Sequence, residues 1–231
     1  MLRELDLLPV YDSSEKDIVR DLMVPLLKNS NQYYRGVGFF TSGWLRLAAE
    51  GLVNLVENGG IARFVVSPIL EPDDWDALQR GQSAKQDEQL RAVLQRGIDE
   101  LAGALENDTR NCLAWLVADR VLDFRFAIPR ERTAPGDYHD KVGVAFDAAG
   151  DEVAFHGSFN DTFKGSLNGE AFSVFKSWEE GQRPYVERHK ARLLSLWEGG
   201  NSQFAVRKIP DAIREQFIRL RTSKERPYVL P

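Results

Sequence analysis

One histidine and one lysine, two positions apart, are the residues of this chain best placed to do chemistry. His139 and Lys141 fall in an alternating stretch that we predict as a strand, in which residues i and i+2 project from the same face. A turn at residues 148–151 predicts a second strand that returns beside the first and ends in Gly157 and Ser158. The hairpin would gather an imidazole, a cation and polar donors around one anionic group, such as a phosphate.

These residues resemble the HKD motif of the phospholipase D superfamily, in which HxK is followed by an Asp and then by Gly-Ser and Asn. Five residues separate Lys141 from Asp147, where the usual pattern leaves four, so Asp147 would need a β-bulge to point inward. Glu170, ten residues after Asn160, matches a Glu of the nuclease branch. The motif positions in this chain are His139, Lys141, Asp147, Gly157, Ser158 and Asn160.

The resemblance extends over roughly residues 33–178 and implies the fold. Residues 33–70 are similar to the start of phospholipase-D-like domains that precede helicase modules in bacterial restriction and anti-phage defence proteins. The implied fold is α/β, with a phospholipase-D-like mixed β-sheet flanked by helices on both faces. Residues 1–180 would form this domain with its one HKD motif. Residues 181–231 would form a basic helical extension and a linker of the kind that leads to a helicase module.

The resemblance also implies a metal-independent phosphodiesterase that cleaves DNA through a phosphohistidine and uses no cofactor. His139 is the implied nucleophile, because a neutral imidazole can attack phosphorus. Lys141 would stabilise the charge that grows on the phosphate oxygens. Glu170 would orient the imidazole by holding its other nitrogen. The implied phosphate-binding residues are Lys141, Gly157, Ser158 and Asn160.

This mechanism needs a second imidazole to protonate the leaving group, and the chain holds only one HxK. Its other histidines do not begin that motif. We interpret His156 as a structural residue beside the Gly-Ser turn and His189 as a surface residue of a helix. The family places its second motif in the same chain or in another one, so we predict a homodimer with one composite site. The alternative that a different protein supplies the second motif stays open.

Composition and charge narrow the class of protein. Hydrophobic residues make up 43% and charged residues 28%, as in ordinary globular proteins. The single cysteine, Cys112, excludes an internal disulfide and reads as a buried small apolar residue. The chain has no signal peptide or membrane-length apolar run, so we expect a cytoplasmic protein. The net charge is −5, yet residues 181–231 carry 11 Lys/Arg against 5 Asp/Glu, which suits either a phosphate backbone or a solvated helix.

Other functions are weighed against the nuclease. A catalytically inactive DNA-binding and dimerisation module of a helicase stays open, because Asp147 is displaced and most of the chain is acidic. A phospholipid enzyme is the weakest alternative, since no basic amphipathic helix faces a membrane. No GxxxxGK[ST] motif occurs, which excludes nucleotide hydrolysis by that route. The acidic group at residues 73–76 suits the first turn of a helix, so no metal site is expected.

Apolar periodicity predicts the elements that position these residues. The order strand, helix, strand between residues 37 and 66 favours a right-handed crossover. Residues 161–168 should form a polar loop over the site, and the final stretch from residue 222 an extended linker. The predicted helices are 15–29, 44–58, 84–107, 109–118, one that ends near 199, and 209–220; the predicted strands are 37–40, 61–66, 121–128, the hairpin and 169–178.

Overall fold

The computed structural model describes residues 1–38, 42–67, 107–130, 138–159, 169–208 and 211–230, besides positions 92, 95 and 99. The predictions for Asn160, for the loop 161–168, for the helix 84–107 and for the acidic group at 73–76 therefore lie outside the described residues. Among the helices that are described, none has the length and apolar character that crossing a membrane would require.

The strands of the described residues form one mixed sheet in the order β1-β7-β6-β5-β2-β3-β4-β8. Neighbours β2, β3 and β4 run parallel, and the remaining pairs are antiparallel. The parallel pair β2–β3 is joined through a helix, as its strand-helix-strand pattern predicts. The strands are β1 Val10–Asp12, β2 Gln32–Val37, β3 Ile61–Val66, β4 Leu122–Pro129, β5 Val142–Phe146, β6 Glu152–Gly157, β7 Ala171–Lys176 and β8 Phe204–Lys208.

Helices cover both faces of this sheet, which confirms the predicted α/β class. One face packs Phe64 and Phe155 against most of the helices in a continuous apolar core. The other face packs Val144 against Leu193 and Trp197 of a single helix, α4. The helices of the described residues are a 3-10 helix Leu2–Glu4, a π-helix Ile18–Met23, α1 Val24–Lys28, α2 Ser42–Glu57, α3 Asn107–Ala118, α4 Arg183–Gly199 and α5 Asp211–Arg219.

Helix boundaries follow local capping chemistry. Helix α2 ends at Glu57, within one residue of its predicted end, and is followed by Gly59, whose φ of 66° is a conformation that glycine adopts without strain. The helix predicted over residues 15–29 begins at Ile18. Asp17 is the reason: its carboxylate accepts hydrogen bonds from the amides of Val19 and Arg20 at 3.1 and 3.0 Å.

The C-terminal segment belongs to the same sheet and core. Residues 181–231 were expected to form a basic helical extension, but they supply α4, the unpredicted edge strand β8 and α5. The stretch from residue 222, expected to be an extended linker, packs against α3. The Tyr228 side chain is buried there, and its hydroxyl donates to Asp119 at 3.0 Å. Arg226 forms an ion pair with the same carboxylate at 2.8 Å.

Candidate active site

The candidate site lies at the edge of the sheet where β2 and β6 end and β5 begins. His139 and Lys141 stand just before β5, which starts at Val142, rather than within a strand as predicted. Gly38, which follows β2, lies against the imidazole: a Cβ there would be 3.2 Å from the His139 Cδ2 atom. The small residue therefore leaves room for the ring. The structure brings the predicted nucleophile and the predicted cation together at this edge.

The Lys141 ammonium contacts the His139 ring directly. Its Nζ lies 2.8 Å from Nδ1 of His139 and donates to the His139 carbonyl oxygen at 2.6 Å. Lys141 is only 4% exposed, whereas His139 is an exposed residue. Burial lowers the pKa of Lys141, and repulsion from Arg35 lowers it further, while Glu170 and Asp140 act in the opposite direction. The site thus pairs an accessible imidazole with a desolvated cation.

The Gly157–Ser158 turn is fixed to both neighbouring segments by backbone hydrogen bonds. The Gly157 amide donates to the Lys141 carbonyl at 3.1 Å, and the Ser158 amide donates to the Ala171 carbonyl at 3.0 Å. The Ser158 hydroxyl accepts from the Ala171 amide at 3.1 Å. A Cβ at position 157 would lie 1.8 Å from the Ala171 carbonyl oxygen, so only glycine fits there. The turn is thereby held beside Lys141.

Glu170 is positioned by the N-terminal segment. Its amide donates to the Ser13 hydroxyl at 2.8 Å, and the Ser13 amide donates back to the Glu170 carbonyl at 2.8 Å. The Glu170 carboxylate is close enough to attract the Lys141 ammonium and to oppose the fall of its pKa. The structure therefore brings Glu170 to the same edge as the predicted nucleophile.

Asp147 lies in the hairpin turn, away from the other motif residues. Its Oδ1 accepts from the amides of Ala149 and Asp151 at 2.9 and 3.0 Å, and its Oδ2 accepts from the Leu2 amide at 2.9 Å. At about 3.3 Å per strand residue, it is roughly 20 Å from Lys141. The pairing of β5 with β6 runs from residue 142 to residue 146 with no bulge. The bulge required to point Asp147 inward is therefore absent, and its carboxylate stabilises the turn.

Arg35 is a site residue that the sequence reasoning missed. It is fully buried on β2, where its Nη2 donates to the Phe159 carbonyl at 3.0 Å. Its guanidinium carbon lies 5.4 Å from the Phe155 ring centroid and 5.1 Å from that of Phe172. A charged residue inside the otherwise apolar run of a buried strand is the signal that could have revealed it. Arg35 fixes the backbone next to Ser158 and adds positive charge behind Lys141.

Asp140, the residue between the predicted nucleophile and cation, directs its side chain toward α4. The Asp140 carboxylate pairs with the Arg192 guanidinium at 2.7 Å and lies 3.3 Å from His156 Nε2. The rings of His156 and His189 stack with centroids 5.3 Å apart. The two remaining imidazoles of the chain therefore gather on the α4 face, opposite His139.

Neither the Cys112 thiol nor a metal cluster provides a competing site in the described part of the chain. Cys112 is largely buried, and burial raises its pKa to about 11, so the thiol stays protonated at neutral pH. A group of three or more His, Cys, Asp or Glu side chains that could hold a metal ion does not occur among the described residues.

Comparison with known proteins gives structural likenesses only. No family model and no curated protein sequence matches this chain. The phospholipase D family member Nuc from Salmonella typhimurium is similar with a TM-score of 0.45 and 17% identity, over 87% of this chain and 97% of that one. NucT from Helicobacter pylori gives a TM-score of 0.46 and 9% identity, over 85% and 96%. Phosphatidylserine synthase from Haemophilus influenzae gives a TM-score of 0.48 and 12% identity, over 87% of this chain and 42% of that one.

Proposed function

We propose that this chain is a phosphodiesterase of the phospholipase D superfamily that hydrolyses DNA through a phosphohistidine on His139. The observation that carries the proposal is the 2.8 Å contact between Nζ of buried Lys141 and Nδ1 of exposed His139. Attack on a phosphodiester requires an accessible nucleophile and fixed positive charge for the phosphate oxygens. The fixed Gly157–Ser158 turn, tied to Lys141 through its backbone, adds the Ser158 hydroxyl as a hydrogen-bond donor for the phosphate.

The reaction would proceed in two displacements. The lone pair of the His139 imidazole attacks phosphorus, and the bond to the leaving oxygen breaks as that oxygen takes a proton from an acid. Water then attacks the phosphohistidine and gives a proton to the group that served as the acid, the P–N bond breaks, and the imidazole is released. A bound phosphate offers Lys141 a charged acceptor, so its ammonium moves from Nδ1 to a phosphate oxygen. Glu170 then orients the ring.

The acid must come from another imidazole. His156 and His189 stack on the α4 face, and His156 pairs with Asp140, so both rings are directed away from the nucleophile. We propose that His139 of a second copy of the chain supplies the proton across a two-fold interface. Sedimentation velocity should therefore show a dimer, and a monomer that cleaves DNA would contradict this part of the proposal.

The decisive experiment follows labelled DNA cleavage in EDTA. Wild-type protein should cleave, and His139→Ala should not, because the covalent step needs the imidazole. Arg219→Ala, on the distant and exposed surface of α5, is the control and should keep full activity. Acid-labile, base-stable label on the protein after rapid quenching would support phosphohistidine. Cleavage that needs added metal or survives in His139→Ala contradicts the mechanism. DNA binding without any cleavage supports the alternative, a catalytically inactive binding and dimerisation module.

The proposal includes a cellular role. The likeness of residues 33–70 to helicase-linked domains supports a role in the bacterial cytoplasm, in restriction or phage defence, next to a helicase module. Expression of the complete protein in a bacterial host should lower phage plating efficiency. The loss of that protection in His139→Ala would tie it to the site, and equal protection by both forms would contradict a nucleolytic role.

A further inference from the structure

Four side-chain rings form a continuous stack on the α4 face of the sheet. We call this stack, made of Tyr185, Phe175, His189 and His156, the ring column. The centroids of Tyr185 and Phe175 are 4.9 Å apart with planes 9° from parallel. Phe175 and His189 are 5.6 Å apart, and His189 and His156 are 5.3 Å apart, both at 26°. The rings thus present their faces to one another from end to end.

Both ends of the ring column are open to solvent. Tyr185 is 55% exposed although one face of its ring stacks on Phe175. The side chain of His156 at the opposite end is 46% exposed. An exposed end of a parallel stack offers a flat apolar surface to another planar group.

Two arginines lie on the same stripe of α4 as the rings. Tyr185, Arg188, His189 and Arg192 are spaced i, i+3, i+4 and i+7, which places them on one side of the helix. Arg188 is exposed, and the side chain of Arg192 is 44% exposed while it pairs with Asp140. Rings therefore alternate with cations along the stripe. That combination complements a ligand made of planar groups joined by phosphates.

The ring column ends near the edge of the sheet that carries the candidate active site, on the opposite face from His139. His156 is the residue immediately before Gly157 and sits opposite Val142 across the β5–β6 pair. Asp140, which contacts both His156 and Arg192, stands between His139 and Lys141 in the chain. A strand bound along the column would thus approach the edge of the sheet that carries the predicted nucleophile.

We propose that the ring column and its two arginines bind an unpaired nucleic-acid strand that leads to the site. Bases would stack on the exposed faces of Tyr185 and His156, and the phosphates would pair with Arg188 and Arg192. A duplex keeps its base faces within its own stack, so only a single strand can use the rings. The link to cleavage rests on the proposed function, whereas the binding itself does not.

The test measures fluorescence anisotropy of a labelled oligothymidylate and of a duplex of equal length, with His139→Ala as the background to prevent cleavage. Tyr185→Ala should weaken single-strand binding roughly 5- to 100-fold, as the loss of a base stack does. Tyr185→Phe should keep the affinity, because its ring is retained. Arg188→Ala should lower the slope of log affinity against log salt by about 0.7. Arg219→Ala, whose side chain is 77% exposed on α5, is the control and should change neither value.

Several outcomes overturn the inference. Equal losses of single-strand and duplex affinity in Tyr185→Ala would show that the rings do not distinguish unpaired bases from paired ones. Unchanged single-strand affinity in Tyr185→Ala would show that the rings bind no bases. A shift in sedimentation instead of affinity would assign the ring column to contact between two copies of the chain.

A second substrate separates this inference from the proposed function. Bis(p-nitrophenyl) phosphate carries no nucleic-acid strand that could lie along the ring column, so its hydrolysis needs no contact with Tyr185. Its hydrolysis should stop in His139→Ala and continue in Tyr185→Ala. If wild-type protein does not hydrolyse this substrate but its single-strand binding depends on Tyr185, the proposed function alone is contradicted. Hydrolysis with Tyr185-independent binding contradicts the ring column alone.

Discussion

The Arg35 guanidinium on β2 donates a hydrogen bond to the carbonyl oxygen of Phe159, 124 residues later in the chain, at 3.0 Å. This bond joins the central parallel strands to the segment that carries Ser158. The same guanidinium repels the ammonium of Lys141 and, after burial, is the second cause of its lowered pKa. One buried arginine therefore affects both the position and the charge of the predicted phosphate-binding residues.

We predict that Arg35→Met lowers kcat by roughly 10- to 100-fold, since displacement of a binding group by about 1 Å has an effect of this size. Loss of the repulsion should also raise the pKa of Lys141. The alkaline limb of the pH profile of kcat/KM should therefore move to higher pH. Arg125→Met is the matched control, because Arg125 lies over the Trp197 ring in the other core. Arg125→Met should leave the alkaline limb of the pH profile unchanged. An unchanged alkaline limb in Arg35→Met would refute the electrostatic coupling between Arg35 and Lys141.

Gly157→Ala should abolish phosphodiesterase activity while much of the secondary structure survives. The new methyl group would lie 1.8 Å from the Ala171 carbonyl, so the end of the β6–β7 pair must separate and Ser158 must move. Activity assays combined with circular dichroism check this expectation. Gly181→Ala provides the control, since a Cβ at that position meets no atom within 4 Å. Normal turnover in Gly157→Ala would mean that the turn does not bind the phosphate.

Asp147→Ala should destabilise the protein without changing the chemistry of the molecules that remain folded. Three backbone amides lose a charged acceptor, which costs roughly 3 kcal/mol or more of unfolding free energy. Urea denaturation gives the loss, and kcat per folded molecule should stay within about twofold of wild type. A large fall in kcat at full folding would return Asp147 to the catalytic residues.

His189→Phe should make the stability less sensitive to acid. Burial, and then the neighbouring His156, lower the pKa of His189 in the folded protein below its ordinary value of 6.5. The unfolded chain therefore binds this proton first, and the free energy of unfolding falls as the pH drops below about 6.5. Denaturation at pH 7.5 and pH 5.5 measures the difference in the free energy of unfolding between the two pH values. Phenylalanine should reduce this difference because it does not titrate, while its ring still stacks on the neighbouring rings. Equal acid sensitivity in both proteins would contradict the assignment.

Much of this architecture could be predicted because local patterns agreed with the global fold. The apolar run of β3 matched the predicted bounds, and α2 ended within one residue of its predicted end. Strand β8 was missed, because its five residues alternate only weakly and gain their stability from pairing with β4. Strand β2 begins five residues earlier than predicted, since Tyr33 and Tyr34 are both buried and leave no alternation to read.

The site was predictable to the extent that its residues lie close in sequence. His139 and Lys141 directly precede β5, and Gly157 ends β6, so the pairing of these two strands brings the residues together. Arg35 was not predictable in the same way, because it comes from the other half of the chain and meets the turn only through the tertiary fold. The extra residue before Asp147 suggested a bulge, whereas the strand simply runs longer before its turn.

The sheet places its earliest strand, β1, at one border and its latest, β8, at the other. About 75 residues separate the end of β4 at Pro129 from the start of β8 at Phe204. A ribosome adding roughly 5–20 residues per second would take several seconds to make that stretch. During those seconds β4 offers its unsatisfied amides and carbonyls to any neighbouring nascent chain. Slow translation of this message should therefore raise aggregation, and a chaperone that shields exposed strands should relieve it.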